Sequence, residues 1–420
     1  MNIGFMGLGK LGLPCALAID EREHVVYGYD INDDVKTILD TKQLPYREEG
    51  APERLQSHNI NFTSVDEVVK NSDIIFVPIQ TPHEPRYEGT TRLPEERVNF
   101  NYEWLKSGLK TLSDAIDKNG EDKIVVIIST VLPGTVRKEI KPFLSEYIKL
   151  CYNPFFIAMG TTINDFIKPE FVLLGIDNKE AVETVKEFYA TIHDRPVYEC
   201  SIEEAEMIKV SYNTYITMKI NLANVIMEAA HKLDNVNCDN VMRGMFLASD
   251  RLISTKYLLG GMGDGGGCHP RDNIALSWMA QELDLSYDWY DSMMVCREKQ
   301  TEWLGNMLIA KSKETGLNPI ILGKCFKKET NLTVGSPSIL MKNMMKEDDV
   351  DVEMYDPWVD TGEPPLGEKA VFFIGTNHDK FLDYKFPKGS IVIDPWRMMS
   401  KQDGVELISI GNSSNYMVGV

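Results

Sequence analysis

The feature of this sequence that most limits its possible folds is a glycine pattern near its start. Gly7, Gly9 and Gly12 form a G-x-G-x-x-G pattern, which follows an apolar run at 2–6 and precedes a helix-like stretch at 13–19. The first glycine permits a tight turn, the second lets a pyrophosphate approach the backbone, and the third lets the helix pack on the strand. Amides at a helix N-terminus bind phosphate. The order therefore predicts a dinucleotide-binding fold.

The residues around this pattern indicate which dinucleotide is bound. A second apolar run, His24–Tyr29, ends at Asp30. A carboxylate at this place accepts hydrogen bonds from the ribose hydroxyls and repels a 2′-phosphate, which favours NAD over NADP. Lys10 and Leu11, inside the pattern, are predicted cofactor contacts as well. The alternative is a glycine turn in some other α/β protein.

Composition limits the partners. The chain has 420 residues, enough for two or three domains, and a formal net charge of −19. This charge argues against nucleic acid or an anionic membrane as partner, because both bind basic surfaces. No apolar run has membrane-spanning length, and no signal peptide precedes the first strand. Seven scattered cysteines without a C-x-x-C pair predict reduced thiols in the cytoplasm, and seven isolated histidines suggest no metal site.

The order of apolar patterns divides the chain into three blocks. Apolar runs without polar alternation, separated by helical patterns, continue to about residue 200 and predict a parallel sheet covered on both faces. The next block shows no strands, and its long helical run starts near Ser201 and reaches His231 or beyond. Strand patterns then return. We predict an α/β protein with two doubly wound, Rossmann-like domains joined by a central helical domain with a long helix, bounded at 1–198, 199–310 and 311–420.

A second glycine-rich stretch, Gly261–Gly267, ends at a cysteine. Cys268 follows it directly, and Arg271 and Asp272 come shortly after. Glycines let a backbone approach a ligand closely, and a cation near a thiol favours the nucleophilic thiolate. The pattern predicts a reactive cysteine. The alternative is a buried, inert cysteine on a tight turn.

The long central helix carries a lysine and an asparagine on one face. Lys209 and Asn213 are four residues apart, and Ile220 and Asn224 continue the same side. An amine and an amide in this arrangement can stabilise a hydroxyl or an oxyanion. The alternative is a solvated lysine paired with Glu206 and an asparagine that faces solvent.

Taken together, these motifs resemble the UDP-glucose/GDP-mannose (nucleotide-sugar) 6-dehydrogenase family over essentially the whole chain. The segments that carry the resemblance are Gly7–Gly12, Thr81-Pro82, Ser129–Thr135, Ala205–Lys209 with Asn213, the Cys268 loop, and Phe326-Lys327 with Ser336–Ser338. The family converts a sugar C6 alcohol to an acid with two NAD and does not release the aldehyde. The resemblance therefore implies the same overall activity for this chain.

The resemblance also implies roles for individual residues. Cys268 would attack the aldehyde to give a thiohemiacetal, whose oxidation leaves a thioester. Lys209 and Asn213 would stabilise the oxyanion, and Asp272 and Thr130 would position or activate water. The implied cofactor contacts are Gly7, Gly9, Lys10, Leu11, Gly12, Asp30, Thr81, Thr130 and Arg271, and the implied substrate contacts are Lys209, Asn213, Arg251, Tyr257, Gly265 and Lys327.

Several of these implied contacts have a more specific form. Tyr257 and Lys327 would lie near the nucleotide, Arg271 near the cofactor or the thiolate, and Gly265 would let the loop close on the sugar. Arg251 resembles an arginine that reaches the substrate of the partner subunit, although its spacing to Cys268 is one residue longer. The second α/β domain would hold the nucleotide diphosphate, and the central helix would form the core of a homodimer.

The sequence also departs from the family pattern. Phe155 and Met159 stand where the family has two glutamates that serve thioester hydrolysis. Water activation by Asp272, or by an acid elsewhere such as Glu170, remains open. Two further departures are Asn331, Leu332 and Val334 in place of an Asp-Asp-x-Arg, and Val225 in place of a glutamate.

Three functions therefore remain open on the sequence alone. The first is a nucleotide-sugar 6-dehydrogenase that acts on UDP-glucose or a UDP-N-acetylhexosamine. The second is a single-step β-hydroxyacid dehydrogenase, which shares the glycine fingerprint and a lysine/asparagine pair but needs no thiol. The third is a nucleotide-sugar binder that has lost thioester hydrolysis.

Overall fold

The computed structural model describes residues 1–82, 84–249, 256–257, 259–284 and 288–412. No helix within these ranges is long and apolar enough to cross a membrane.

The chain divides into two compact units. One comprises Met1–Pro82 and Phe100–Ser211, and the other comprises His83–Asn99 and Tyr212–Val420. The predicted C-terminal domain and residues 212–310 of the predicted central domain thus fall within the second unit, whereas residues 199–211 belong to the first. The predicted boundaries between three domains stay a prediction.

The first unit is built on an eight-stranded sheet. Its strands are β1 (Asn2–Met6), β2 (Val25–Tyr29), β3 (Asn61–Phe62), β4 (Ile74–Val77), β5 (Lys123–Ile127), β6 (Ile148–Tyr152), β7 (Val172–Ile176) and β8 (Val197–Ser201). They lie in the order β3-β2-β1-β4-β5-β6-β7-β8. The reversal between β1 and β4 is the place at which doubly wound sheets bind ligands.

The predicted parallel sheet is present, with one strand pair as an exception. Strands β6 and β7 are antiparallel, with Cys151 opposite Ile176, whereas the other pairs of this sheet are parallel. Mixed sheets of this kind are common in doubly wound folds. Apolar runs do not encode strand direction, so the sequence pattern carried no sign of the reversal.

Seven helices of the first unit connect these strands. They are α1 (Gly12–Asp20), α2 (Asp34–Thr41), α3 (Ala51–Ser57), α4 (Val65–Asn71), α5 (Glu103–Asn119), α6 (Thr162–Ile167) and α7 (Lys179–Ala190). Local sequence fixes several of their ends. Ser64 accepts a hydrogen bond from Glu67 N at the start of α4, Asn178 does the same for Ala181 N in α7, and Gly120 ends α5 with a φ of 71°.

The long helix α8 (Ile202–Lys232) begins in the first unit and continues in the second. It starts with a reciprocal cap, because Ser201 Oγ accepts from Glu204 N while the Glu204 carboxylate accepts from Ser201 N. The helix predicted from near Ser201 to His231 or beyond is therefore confirmed.

The second unit combines helices with a five-stranded parallel sheet. Its elements are α9 (Cys238–Phe246), α10 (His269–Glu282), α11 (Trp289–Thr315), α12 (Pro337–Glu347), β9 (Pro319–Leu322), β10 (Glu353–Tyr355), β11 (Val371–Ile374), β12 (Ile391–Asp394) and β13 (Glu406–Ser409). The strand order is β10-β9-β11-β12-β13. Strands β11 and β12 are buried along their whole length.

Candidate active site

The glycine turn after β1 has the shape that a bound pyrophosphate requires. Gly7 has a φ of +116°, and a Cβ on Gly12 would lie 2.1 Å from the carbonyl oxygen of Gly7. These two glycines are therefore needed by the turn itself. A Cβ on Gly9 would meet nothing within 4 Å, so this part of the backbone borders open space. NAD fits such a turn, since its phosphates can approach the backbone there.

Asp30 lies at the carboxyl end of β2, beside the glycine turn. Its carboxylate accepts from Leu8 N at 2.7 Å and from Asn32 N at 2.8 Å. These bonds hold the carboxylate where a ribose would lie in a dinucleotide-binding fold. The two other predicted contacts differ from each other, because Lys10 is exposed whereas Leu11 packs against the hydrophobic core.

Thr81 and Thr130 meet at the same edge of the sheet. They follow the neighbouring strands β4 and β5, and the Thr81 hydroxyl donates to the Thr130 carbonyl at 2.8 Å. Thr81 is buried and Thr130 is half-buried. Because β1 is the other neighbour of β4, both threonines share the sheet edge with the glycine turn.

A buried acid on α8 holds the segment that follows Thr130. The Glu206 carboxylate accepts from the backbone N–H of Gly134 and of Val136. Burial raises the pKa of Glu206 to about 7, against the lowering effect of those two hydrogen bonds. The sequence pattern suggested Glu206 only as a partner of Lys209, and its pairing with the backbone was not predicted.

Lys209 is a buried lysine. It is 7% exposed, and its Nζ lies 5.3 Å from the centroid of the Phe156 ring, within the range of a cation–π contact. The alternative of a solvated lysine is therefore wrong. Asn213, one turn further along α8, is also 7% exposed, so the solvent-facing alternative fails for the amide as well.

Cys268 is exposed at the N-terminus of α10. Its carbonyl oxygen accepts from Asp272 N at 2.8 Å, which closes the first turn of the helix. The alternative of a buried, inert cysteine is therefore wrong. The thiol also differs from those of Cys15, Cys151, Cys238 and Cys325, which are all buried.

Asp272 joins α10 to α8. One carboxylate oxygen accepts from the Asn213 side-chain amide, and the other accepts from the Arg271 guanidinium at 3.2 Å. Asp272 itself is fully buried. Three of the predicted site residues, Asn213, Arg271 and Asp272, thus form one hydrogen-bonded group. Two of them lie in the first turn of α10, shortly after Cys268.

The glycine loop before Cys268 is packed against protein. The Asn224 amide accepts from Gly261 N at 2.9 Å and donates to the Met262 carbonyl at 3.3 Å. A Cβ on Gly265 would lie 2.5 Å from Cβ of Phe326. Gly265 was predicted to let the loop close on a sugar, but the space beside it contains Phe326. This contact places the Phe326-Lys327 segment against the cysteine loop.

A buried arginine, which no sequence motif indicated, also holds this loop. Arg297 is 3% exposed, and its Nε lies 2.8 Å from a carboxylate oxygen of Asp264 and donates to the Asp264 carbonyl at 3.1 Å. It also donates to the carbonyls of Gly89 and Gly335 at 3.0 Å each. Three segments distant in sequence meet at one guanidinium, so no local pattern could reveal it.

Two of the remaining predicted substrate contacts, Tyr257 and Lys327, lie in the second unit. Tyr257 is exposed with a φ of +63°. Lys327 is half-buried, and its carbonyl accepts from the Thr330 hydroxyl at 2.9 Å. Arg251 and the side chain of Val225 lie outside the described residues.

The positions of the two missing glutamates are apolar in structure as well as in sequence. Phe155 packs against the core of the first unit, with its ring 5.7 Å from that of Phe166. Met159 is half-buried. Glu170, the acid proposed from sequence as a substitute, is exposed just before β7.

Three buried residues that are distant in sequence also lie close together, one of them next to Phe326 in sequence. Cys325, Asp356 and His378 have side-chain donor atoms within 4.8 Å of one another. Nδ1 of His378 accepts from Glu329 N at 2.9 Å, and the Asp356 carboxylate accepts from His378 Nε2 at 3.1 Å. Burial raises the pKa of Asp356, but the hydrogen bonds from His378 and from backbone amides outweigh it and hold the pKa at about 2. The group therefore serves to hold the 325–329 segment in place.

Two segments of the chain match sequence profiles of one known family. Residues 1–193 match the NAD binding domain of the UDP-glucose/GDP-mannose dehydrogenase family, and residues 203–297 match its central domain. The chain belongs to the UDP-glucose/GDP-mannose dehydrogenase family. The predicted family and the predicted cofactor, NAD, are confirmed, and the chain is an NAD-dependent oxidoreductase.

Individual members of the family are similar over most of their length. The chain is 26% identical to UDP-glucose 6-dehydrogenase AglM of Haloferax volcanii, covering 98% of this chain and 100% of that protein. It is 26% identical to GDP-mannose 6-dehydrogenase of Pseudomonas aeruginosa, covering 85% and 81%. A UDP-glucose dehydrogenase structure from Pyrobaculum islandicum superposes with a TM-score of 0.85 at 22% identity, covering 98% and 97%. This likeness confirms the predicted fold class.

Proposed function

We propose that this chain oxidises the C6 hydroxyl of a nucleotide sugar, UDP-glucose or a UDP-N-acetylhexosamine, to the uronic acid in two hydride transfers. The observation that carries the proposal is the exposed Cys268 at the N-terminus of α10, one turn before the buried Asp272 that accepts from Asn213. NAD, when bound, accepts the hydride in each of the two oxidations.

Cys268 supplies the covalent step. Its sulfur adds to the C6 aldehyde carbon to form a thiohemiacetal, and removal of the second hydride leaves a thioester on the same sulfur. The thioester keeps the intermediate on the protein until water releases the acid.

Lys209 and Asn213 stabilise the oxyanion in this proposal. The Lys209 amine is buried, so its charge acts in a medium of low polarity, where it is worth more than in water. The Asn213 amide is oriented by Asp272, which fixes one of its N–H groups and leaves the other for the substrate. Arg271 in turn pairs with Asp272.

The substrate is held by the second unit in this proposal. Lys327 and Tyr257 contact the nucleotide, and Arg251 reaches the substrate of a partner subunit. We propose a homodimer through α8, because Met207, Tyr215 and Leu222 recur on one side of that helix and are 38–45% exposed. Light scattering after size-exclusion chromatography tests the dimer.

The experiment is a stoichiometry measurement with UDP-glucose, UDP-N-acetylglucosamine and UDP-N-acetylmannosamine as separate substrates. The expected result is two NADH per uronic acid with one of them. Cys268→Ser is expected to lower acid formation by at least about a thousandfold, as losses of catalytic nucleophiles do. Cys296→Ser, a half-buried thiol in the same unit, is the matched control and is expected to keep wild-type activity. Unchanged acid formation by Cys268→Ser would refute the proposal.

The apolar Phe155 and Met159 favour one other candidate, a nucleotide-sugar binder that does not complete hydrolysis. Such a protein would accumulate an acyl group on Cys268, visible in the intact-protein mass, and would not turn over repeatedly. A yield of one NADH per sugar, insensitive to thiol reagents, would instead indicate a single-step dehydrogenase.

A further inference from the structure

A histidine follows Cys268 directly and is connected to a buried carboxylate. His269 is the first residue of α10 and is half-buried. Its Nδ1 lies 3.0 Å from the hydroxyl of Thr217, which is fully buried on α8. The same hydroxyl donates to the Asp264 carboxylate at 3.0 Å. The three side chains therefore form a continuous chain of hydrogen bonds that ends at His269, the residue that follows Cys268 in sequence.

The hydrogen bonds determine which ring nitrogen of His269 carries the proton. A hydroxyl has a single proton to donate, and Thr217 gives it to Asp264. The Asp264 carboxylate also lies 2.8 Å from the guanidinium Nε of the buried Arg297. The Thr217 oxygen therefore acts as the acceptor towards the ring, as it does towards the Asn273 amide at 3.3 Å. Nδ1 of His269 must then be the donor, which leaves the lone pair of the neutral ring on Nε2.

Nε2 is the atom that remains available for chemistry. Among residues 1–82, 84–249, 256–257, 259–284 and 288–412, no hydrogen-bond partner of His269 Nε2 is present. In catalytic triads, a carboxylate orients the catalytic histidine. Here Asp264 orients His269 in the same way, with the Thr217 hydroxyl between the two groups.

Other groups that could activate water are less suitable. Both carboxylate oxygens of Asp272 already accept hydrogen bonds, and the side chain is fully buried. Phe155 and Met159 have no ionisable group. Histidine, in contrast, is the side chain that most often transfers protons in enzymes.

We propose that His269 is the general base that activates water for hydrolysis of the Cys268 thioester, and that Asp264 and Thr217 hold its ring in the required tautomer. The inference rests on the proposed function, because it needs the thioester. His269 would be a catalytic residue, since it contacts the attacking water, whereas Thr217 and Asp264 would be positioning residues.

The step balances without an added reactant. The water oxygen forms a bond to the thioester carbonyl carbon while one water proton moves to Nε2. The bond between that carbon and sulfur then breaks, and its electron pair returns to Cys268 as the thiolate. The acid ionises to the carboxylate, and the proton on Nε2 leaves to solvent, so nothing is oxidised or reduced.

The test uses His269→Asn in the full-length protein with the substrate and NAD. Asparagine retains an N–H close to the place of Nδ1 and lacks Nε2, so the bond to Thr217 is kept while the base is removed. The expected result is a rapid release of two NADH per active site followed by turnover slowed roughly 10²- to 10⁴-fold. An acyl adduct on Cys268 should accumulate in the intact-protein mass during the slow phase.

A matched pair at Thr217 tests the positioning role. Thr217→Ser keeps the hydroxyl and is expected to turn over at nearly the wild-type rate. Thr217→Val is similar in shape but removes the hydroxyl, and it is expected to show the same two-NADH burst and a slowed second phase. Equal turnover by the two variants would overturn the positioning of His269 through Thr217.

The outcomes separate this inference from the function on which it rests. Wild-type turnover by His269→Asn without an adduct would overturn the inference and leave the Cys268 mechanism intact. Loss of the initial burst in His269→Asn would also overturn it, since the histidine would then serve the oxidation steps. Acid formation by Cys268→Ser, however, would refute the proposed function itself.

Discussion

The glycine turn at 7–12 in the first unit and the glycine loop at 261–267 in the second differ in what surrounds them. A Cβ on Gly9 would enter open space, whereas a Cβ on Gly265 would lie 2.5 Å from Phe326. Similarly, a Cβ on Gly261 would lie 2.3 Å from the Trp396 ring. Glycine therefore leaves room for a ligand in the first case and for the protein's own side chains in the second.

This difference changes the interpretation of the cysteine loop. A glycine-rich sequence before a reactive residue suggested close approach of a substrate to the backbone. The structure instead shows a loop fixed on several sides, by Asn224, by Phe326 and by Arg297. Such packing holds Cys268 in one place, which a covalent mechanism requires.

Replacement of Gly265 by alanine gives the largest expected effect. Its Cβ would collide with the Cβ of Phe326, which is attached to the backbone and cannot rotate away. The free energy of unfolding is expected to fall by about 3 kcal/mol, measured by urea denaturation. Gly267→Ala is the matched control, since its Cβ would meet Val334 at an ordinary 3.5 Å. Equal stability of the two variants would contradict the comparison.

Replacement of Gly9 by alanine is expected to weaken NAD binding without unfolding the protein. Nothing in the protein opposes the added methyl group, but the group occupies the space in which the pyrophosphate approaches the backbone. The dissociation constant for NAD, measured by calorimetric titration, should rise about tenfold or more. A tenfold rise corresponds to a loss of about 1.4 kcal/mol of binding free energy. Gly12→Ala should also lower the free energy of unfolding, because its Cβ would lie 2.1 Å from the carbonyl oxygen of Gly7. Unchanged NAD affinity in Gly9→Ala would show that its open side is not the cofactor site.

Local patterns predicted the parts of the fold that depend on local sequence. The glycine fingerprint, Asp30 and the long helix were found because a turn, a strand end and a helix face each follow from neighbouring residues. The antiparallel β6–β7 pair was not found, because strand direction depends on how a distant segment returns to the sheet.

The same distinction applies to the site. Cys268, Asp272 and Asn213 were identified as candidates, and Asp272 and Asn213 are hydrogen-bonded in the structure. The pairing of Arg297 with Asp264 and the convergence of Asp356 with His378 were missed. Each joins segments that are at least 22 residues apart, and such contacts leave no periodic pattern in the sequence.

The two units also hold α8 by different chemistry. In the first unit, the carboxylate of Glu206 binds the backbone of Gly134 and Val136. In the second unit, the neutral amide of Asn224 binds the backbone of Gly261 and Met262. The first contact titrates and the second does not, so only the first should make stability depend on pH.

Replacement of Glu206 by glutamine tests this last difference through the slope of stability against pH. The pKa is about 7 in the folded chain against an ordinary value of 4.5, so the unfolded chain loses this proton first as pH rises. The stabilising contribution of Glu206 is thus full below pH 4.5 and is lost as pH rises through 7. The free energy of unfolding of Glu206→Gln, measured by urea denaturation at intervals across this range, should fall less steeply than that of the wild type, by about 1 kcal/mol per pH unit. Glu187→Gln, at an exposed position of α7, should keep the wild-type slope. If Glu206→Gln also kept that slope, the carboxylate would not be the titrating contact.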